Sequence, residues 1–204
     1  MKCPRRGLYA ITQVDGKPDA QVLDDVEAAL KTGVVMLQYR DKNPVKSVAL
    51  VLGLKRLCAE HQIPFIVNDD VNLAAQIDAD GVHLGQHDVS LAHAKAALGD
   101  DAIIGVSCYN SLQYALDAEQ AGASYVAFGR FFPSGTKPLA TPAHIETLRL
   151  AKQQLAVPIV AIGGILPENG GLLVDAGADL LAVVGGVFNG EPQASVSAYL
   201  PLFL

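Results

Sequence analysis

Gln38, Arg40 and Lys42 stand two residues apart. In extended chain a period of two sends alternate side chains to one side, so two cations and an amide would converge at the end of one strand. Charge gathered in a cleft is costly unless an anion or a carboxylate meets it. The triplet therefore marks either an anionic ligand site or a salt bridge at a rim. Asn68, Asp69 and Asp70 follow a later apolar run, and Asp88 ends the segment Val82-His83-Leu84-Gly85-Gln86-His87-Asp88. Two carboxylates emerging from neighbouring strands, completed by phosphate oxygens and waters, suit a hard Mg²⁺ ion. Each of Asp69, Asp70 and Asp88 is equally suited to capping a helix N-terminus.

Paired glycines, Gly163-Gly164 and Gly185-Gly186, follow two further apolar runs. Glycine lets backbone N–H groups approach phosphate oxygens closely, although a tight turn alone also asks for it. Ser134-Gly135-Thr136-Lys137 combines hydroxyls, free backbone and a cation, which reads as an anion-binding lid or as a solvated loop. Ser107 either donates to a ligand or satisfies a backbone group. His61, His93 and His144 have no second ligand at metal spacing. His83 and His87 lie nearer the other candidates, but no Ser or Cys nucleophile is arranged with them, and Cys108 reads as a packed thiol.

These residues need strands that end together. Short apolar runs are expected as buried strands at Leu8–Thr12, Val35–Arg40, Phe65–Asn68, Val82–Leu84, Ile103–Val106, Tyr125–Gly129, Ile159–Ile162 and Leu180–Val183. Helical periodicity falls between them, at Asp19–Thr32, Val45–His61, Val71–Ile77, Ser90–Leu98, Ser111–Ala121, Pro142–Leu155 and Pro167–Ala176, with a last helix at Gln193–Leu200. Gly33, Gly99, Gly122 and Gly177 each follow a helix, where a left-handed cap is common. Ala121-Gly122-Ala123 and Ala176-Gly177-Ala178 echo each other, as expected of repeated βα units. Alternation of this kind means a parallel sheet, and eight units favour a closed (β/α)8 TIM barrel, one domain over 1–204. No G-x-G-x-x-G follows the first strand to support an open doubly wound sheet. Within the second strand, Val35, Leu37 and Tyr39 would face the helices.

Half of the 204 residues are hydrophobic, and 15 Lys+Arg against 21 Asp+Glu give a net charge of -6. No basic field exists for nucleic acid or an anionic membrane, so anions must be bound locally. The three cysteines show no C-x-x-C spacing, which argues against a disulfide framework or a zinc site and for a reducing cytoplasm. The basic start, Met1 to Arg6, lacks an apolar h-region, and no apolar stretch reaches membrane-spanning length; a soluble, unsecreted protein is expected.

Taken in order, LYAIT, LQYRDK, IVNDD, GVHLGQHD, GVS, YVAFGRFFPSGTKP, VPIVAIGGI and GADLLAVV resemble the thiamin phosphate synthase family from residue 8 to about 187. The resemblance implies that Gln38, Arg40, Lys42 and Asn68 bind a pyrimidine pyrophosphate, that Asp69 and Asp88 hold Mg²⁺, and that Ser107 and Lys137 complete that shell. It implies contacts from Ser134, Thr136, Gly164, Val184 and Gly185 to a thiazole phosphate, and a homodimer. The expected reaction is a dissociative substitution with charge stabilisation on the leaving pyrophosphate, chiefly by Arg40, Lys42 and Lys137. The family often has serine where this chain has Gly185, and threonine where it has Ser134; the first change leaves main-chain N–H groups as the expected phosphate donors there. A related thiazole tautomerase would place its catalytic histidine near Tyr109, and a non-catalytic thiazole phosphate-binding regulator would keep the cradle without turnover.

Overall fold

A computed structural model describes residues 1–85, 88–133 and 141–204. Eight parallel strands close into a barrel in sequence order: β1 (Gly7–Ile11), β2 (Val34–Tyr39), β3 (Phe65–Asn68), β4 (Gly81–Leu84), β5 (Ile103–Tyr109), β6 (Tyr125–Gly129), β7 (Ile159–Ile162) and β8 (Leu180–Val183). The helices are α1 (Asp19–Thr32), α2 (Val48–Glu60), α3 (Val71–Gln76), α4 (Leu91–Leu98), α5 (Leu112–Gln120), α6 (Ile145–Gln154), α7 (Pro167–Asp175), α8 (Gly185–Phe188) and α9 (Pro192–Tyr199), followed by a 3₁₀ turn at Leu200–Phe203. The sequence reading has β3, β6, β7 and β8 at their bounds and every other strand within three residues of them. It lacks α8, a single turn too short to show a helical period, and it starts α2 and α6 three residues early. Ser47 and His144 are the N-caps that set those starts, the former accepting a hydrogen bond from Leu50 N.

Strands buried on both faces sort their side chains into two cores. Leu8, Leu37, Tyr39, Phe65, Val126 and Ala161 pack outward against the helices. Tyr9, Ile11, Met36, Ile66, Ile103, Tyr125, Val160 and Leu180 fill the barrel. Val35 departs from the expected parity: a register irregularity between Leu8 and Tyr9 pairs Leu8 with Val34 and Tyr9 with Met36, and Val35 packs against the interior cluster beside Gly7.

At the N-terminal end of the barrel one motif recurs three times. Asp78, Gly122 and Gly177 each adopt positive φ after a helix. The next residue, Ala79, Ala123 or Ala178, donates its N–H back to the helix. Asp80, Ser124 or Asp179 then exchanges two hydrogen bonds with a residue at the start of the preceding strand: Asp80 N and Asp179 N donate to Phe65 O and Ile159 O while their carboxylates accept from Phe65 N and Ile159 N, and Ser124 N donates to the carbonyl of Ile104, the second residue of β5, while its Oγ accepts from Ile104 N. These staples satisfy strand-end amides that packing leaves without a ladder partner. They also explain the two Ala-Gly-Ala echoes. Gly33 and Gly99 likewise adopt positive φ.

The barrel interior is fitted around one glycine. His83, Gly105 and Tyr125 lie at one level on β4, β5 and β6. Because Gly105 has no side chain, the His83 and Tyr125 rings stack across it at 5.6 Å with an interplanar angle of 18°. A Cβ there would sit 2.0 Å from Tyr125 Cζ. We expect Gly105→Ala to lower unfolding free energy by about 2 kcal/mol, the usual cost of overpacking. Urea denaturation checks this, and an unchanged midpoint would mean that the ring has somewhere else to go.

Candidate active site

The C-terminal ends of the strands open into a cavity of about 840 Å³, within the usual range for small-molecule sites. Its floor is the upper layer of the barrel interior. Gln38 Nε2 donates to Tyr9 Oη at 2.7 Å, the Tyr9 and Tyr125 hydroxyls are 2.9 Å apart, Tyr125 Oη lies 3.0 Å from His83 Nδ1, and His83 Nε2 lies 2.8 Å from Ser107 Oγ. Burial pushes both phenols well above their ordinary range, so both stay protonated. With Gln38 donating, one order satisfies every group: Tyr9 donates to Tyr125, Tyr125 to His83 Nδ1, and His83 Nε2–H to Ser107. Ser107 then keeps its own hydroxyl proton for the cavity.

Charged residues crown this floor. Arg40 and Lys42 lie just beyond β2, where Thr12 Oγ1 accepts from Arg40 N at 2.9 Å and donates to Arg40 O at 3.2 Å. Among the described residues the Arg40 guanidinium has no hydrogen-bond or ion-pair partner, although it lines the cavity. Lys42 Nζ is 2.7 Å from Asp69 Oδ2. Asp69 sits at φ 64, a left-handed turn that aspartate tolerates better than most residues. The adjacent Asp70 serves the other purpose considered for this trio, capping α3 by accepting from Leu73 N at 2.9 Å. One carboxylate is thus spent on the helix and its neighbour is turned to the cavity.

Asp88 accepts from Gly85 N at 2.6 Å and meets Asp69. Burial acts to raise Asp69, but the Lys42 ammonium outweighs it and holds the carboxyl below its ordinary range. Burial, together with the Asp69 charge, pushes Asp88 up despite the Gly85 N–H. Two carboxylates held this close form a hard-oxygen donor pair whose mutual repulsion a divalent cation would relieve. Among the described residues no third acidic, histidine or cysteine side chain joins them.

Gly163 and Gly164 adopt φ 105 and 64. A Cβ on Gly164 would lie 2.3 Å from Pro133 O, because the segment after β6 runs over this turn, tied by Phe131 N to Ile162 O and Phe132 N to Gly163 O. Turn geometry and close backbone approach therefore account for the glycines. The N–H groups of Gly164 and Gly185, however, find no acceptor among the described residues and line the cavity. Unsatisfied N–H groups on a cavity wall are donors for an anion.

The structure thus brings Gln38, Arg40, Lys42, Asn68, Asp69, Ser107, Gly164, Val184 and Gly185 around one cavity, with Asp88 against Asp69. Ser134, Thr136 and Lys137 lie outside the described residues. Gln38 is 3 % exposed and commits its amide nitrogen to Tyr9, which leaves its carbonyl for a ligand. Cys108 is packed, with burial pushing its thiol up to about 12. Sequence reasoning passed over Tyr9, Tyr125 and Thr12 and set His83 aside. The available signal was parity: Tyr9 and Tyr125 fall on inward positions, and a buried tyrosine hydroxyl needs a partner.

A family model described as thiamine monophosphate synthase matches residues 8–187. The thiamine-phosphate synthase of Nitrosococcus oceani is 49% identical, covering 95% of this chain and 91% of its own, and that of Methylococcus capsulatus is 50% identical, covering 97% and 88%. The solved thiamine phosphate pyrophosphorylase of Pyrococcus furiosus superposes with a TM-score of 0.87 at 33% identity, covering 98% of this chain and 96% of that one. Overlap of this extent takes in the barrel, the acidic pair and both glycine turns, and the chain belongs to the thiamine monophosphate synthase family.

Proposed function

We propose that this chain, as one catalytic domain over 1–204, joins 4-amino-2-methyl-5-hydroxymethylpyrimidine pyrophosphate to thiazole phosphate, giving thiamin phosphate and pyrophosphate. The observation that carries this reading is the meeting of two anion-seeking groups in one cavity: the Arg40 guanidinium beside the Lys42–Asp69–Asp88 cluster, and the N–H groups of Gly164 and Gly185, all without a partner among the described residues. Neither a tautomerase nor a simple binding protein needs the first group. Tyr109, not histidine, stands at the position where the tautomerase base is expected.

In this reading the bond between the pyrimidine methylene carbon and the pyrophosphate oxygen breaks with the electron pair leaving on oxygen. The thiazole nitrogen then donates its pair to the carbon. No protein nucleophile is required, and the work of the site is charge stabilisation and positioning. Arg40, Lys42 and Lys137 meet the leaving pyrophosphate. Ser107, its hydroxyl oriented by His83, donates to the same group. Asn68 and the free carbonyl of Gln38 orient the pyrimidine end, while Ser134, Thr136 and the backbone at Gly164, Val184 and Gly185 hold the thiazole phosphate. Asp69 and Asp88 would hold Mg²⁺, whose charge would offset that of the pyrophosphate. The free thiols Cys3, Cys58 and Cys108 fit a reducing cytoplasm, no helix of the described residues is long and apolar enough to cross a membrane, and a homodimer rests on the family resemblance.

Phosphorus NMR of the protein with both substrates and Mg²⁺ tests the reading. Pyrophosphate released in step with thiamin phosphate is expected; a perturbed thiazole phosphate signal without turnover would favour the binding-protein alternative. Asp69→Ala and Asp88→Ala should abolish most turnover while circular dichroism shows the fold retained, and full activity of the parent without Mg²⁺ would remove the metal assignment. Lys137→Ala should cost about 2–4 kcal/mol of transition-state stabilisation, by analogy with loss of a positioned donor, measured as kcat/KM. If Ser107 is oriented through the floor network, Tyr125→Phe and Ser107→Ala should each lower kcat/KM but combine less than additively; simple additivity would separate Tyr125 from Ser107.

A further inference from the structure

The side chain of Asn189, on the cavity wall after α8, has no hydrogen-bond partner among the described residues. It lies against Gly185. A Cβ built on Gly185 would sit 2.6 Å from Asn189 Nδ2, 3.1 Å from Cγ and 3.3 Å from Oδ1. Gly185 has ordinary backbone geometry, with no positive φ to demand glycine. What its missing side chain provides is room for the Asn189 amide. The backbone that carries that amide is tied from behind. Asn189 N donates to Gly185 O at 2.9 Å, and Lys17 Nζ, paired with Asp25 at 2.6 Å, donates to Phe188 O at 2.9 Å. The last peptide before Asn189 is thereby tied to the segment between β1 and α1.

We propose that Asn189 is a phosphate-binding residue, its side-chain N–H₂ donating to the phosphate of the thiazole substrate beside the Gly164 and Gly185 N–H groups. An amide next to unsatisfied backbone donors extends an anion site without adding charge, and its reach from a fixed backbone limits the entropy lost on binding. The side chain of residue 185 and the Asn189 amide compete for one volume, so the glycine and the asparagine act as a pair: a hydroxyl-bearing residue at 185 would occupy the space from which Asn189 now donates. This assignment rests on the synthase reading for the identity of the phosphate ester, and deepens it.

Calorimetric titration of the parent and Asn189→Ala proteins with thiazole phosphate and with the dephosphorylated thiazole alcohol distinguishes the possibilities. Asn189→Ala should weaken thiazole phosphate about tenfold, the scale of one hydrogen bond to a charged group, and leave alcohol affinity as it was. Adding Gly185→Ser to Asn189→Ala should recover part of the loss, because the vacated volume then accepts a hydroxyl. Unchanged phosphate affinity, or equal loss for phosphate and alcohol, would overturn the proposal, the latter assigning Asn189 to wall packing. A parent protein that binds neither compound would instead count against the synthase reading, and with it this one.

Discussion

A buried phenol must find a hydrogen-bond partner, and at the centre of this barrel the Tyr9 and Tyr125 hydroxyls find each other at 2.9 Å. In a low-dielectric interior an unpaired hydroxyl is expensive, so a pair of them commits everything around it. Gln38 must offer its amide to Tyr9, and His83 its Nδ1 to Tyr125. Gly105 must remain without a side chain for the two rings to stack. With His83 in the tautomer that this order requires, Nε2–H donates to Ser107 and the serine keeps its own proton for the cavity. Among the described residues no buried side-chain nitrogen or oxygen is left without a partner, so the buried part of this polar layer is satisfied, and what remains open, the Gln38 carbonyl and the Ser107 hydroxyl, faces the cavity.

The two ends of the barrel divide their tasks. At the N-terminal end Asp80, Ser124 and Asp179 fasten strand to strand through reciprocal hydrogen bonds, and their polarity is consumed in holding the sheet closed. At the C-terminal end the polar groups are left unspent: the Arg40 guanidinium and the Gly164 and Gly185 N–H groups have no partner among the described residues. Leaving donors unsatisfied costs stability, and the cost is tolerable only where a ligand or solvent meets them. The acidic pair follows the same logic with opposite sign. Lys42 neutralises Asp69, while the Asp88 carboxyl is pushed up beside it.

Alternation of apolar runs and helical segments was enough to fix eight βα units, their order and most boundaries, because a strand buried on both faces has few ways to be written other than as a continuous apolar run. Local chemistry was equally legible: the period-two triplet Gln38, Arg40, Lys42, the acidic residues after β3 and β4, and the glycine turns. What only the tertiary structure decided was which of several equivalent groups serves the site. Asp69 and Asp70 are adjacent and chemically alike, and the turn at φ 64 alone sends one to Lys42 and leaves the other as a helix cap. Val35 left its expected face because register depends on the neighbouring strand. Tyr9, Tyr125 and His83, far apart in the chain, became one network only when closure placed β1, β4 and β6 around a common axis. Sequence spacing carries information along a strand, whereas contacts across a barrel depend on register and on the space left by residues such as Gly105, which no local pattern records.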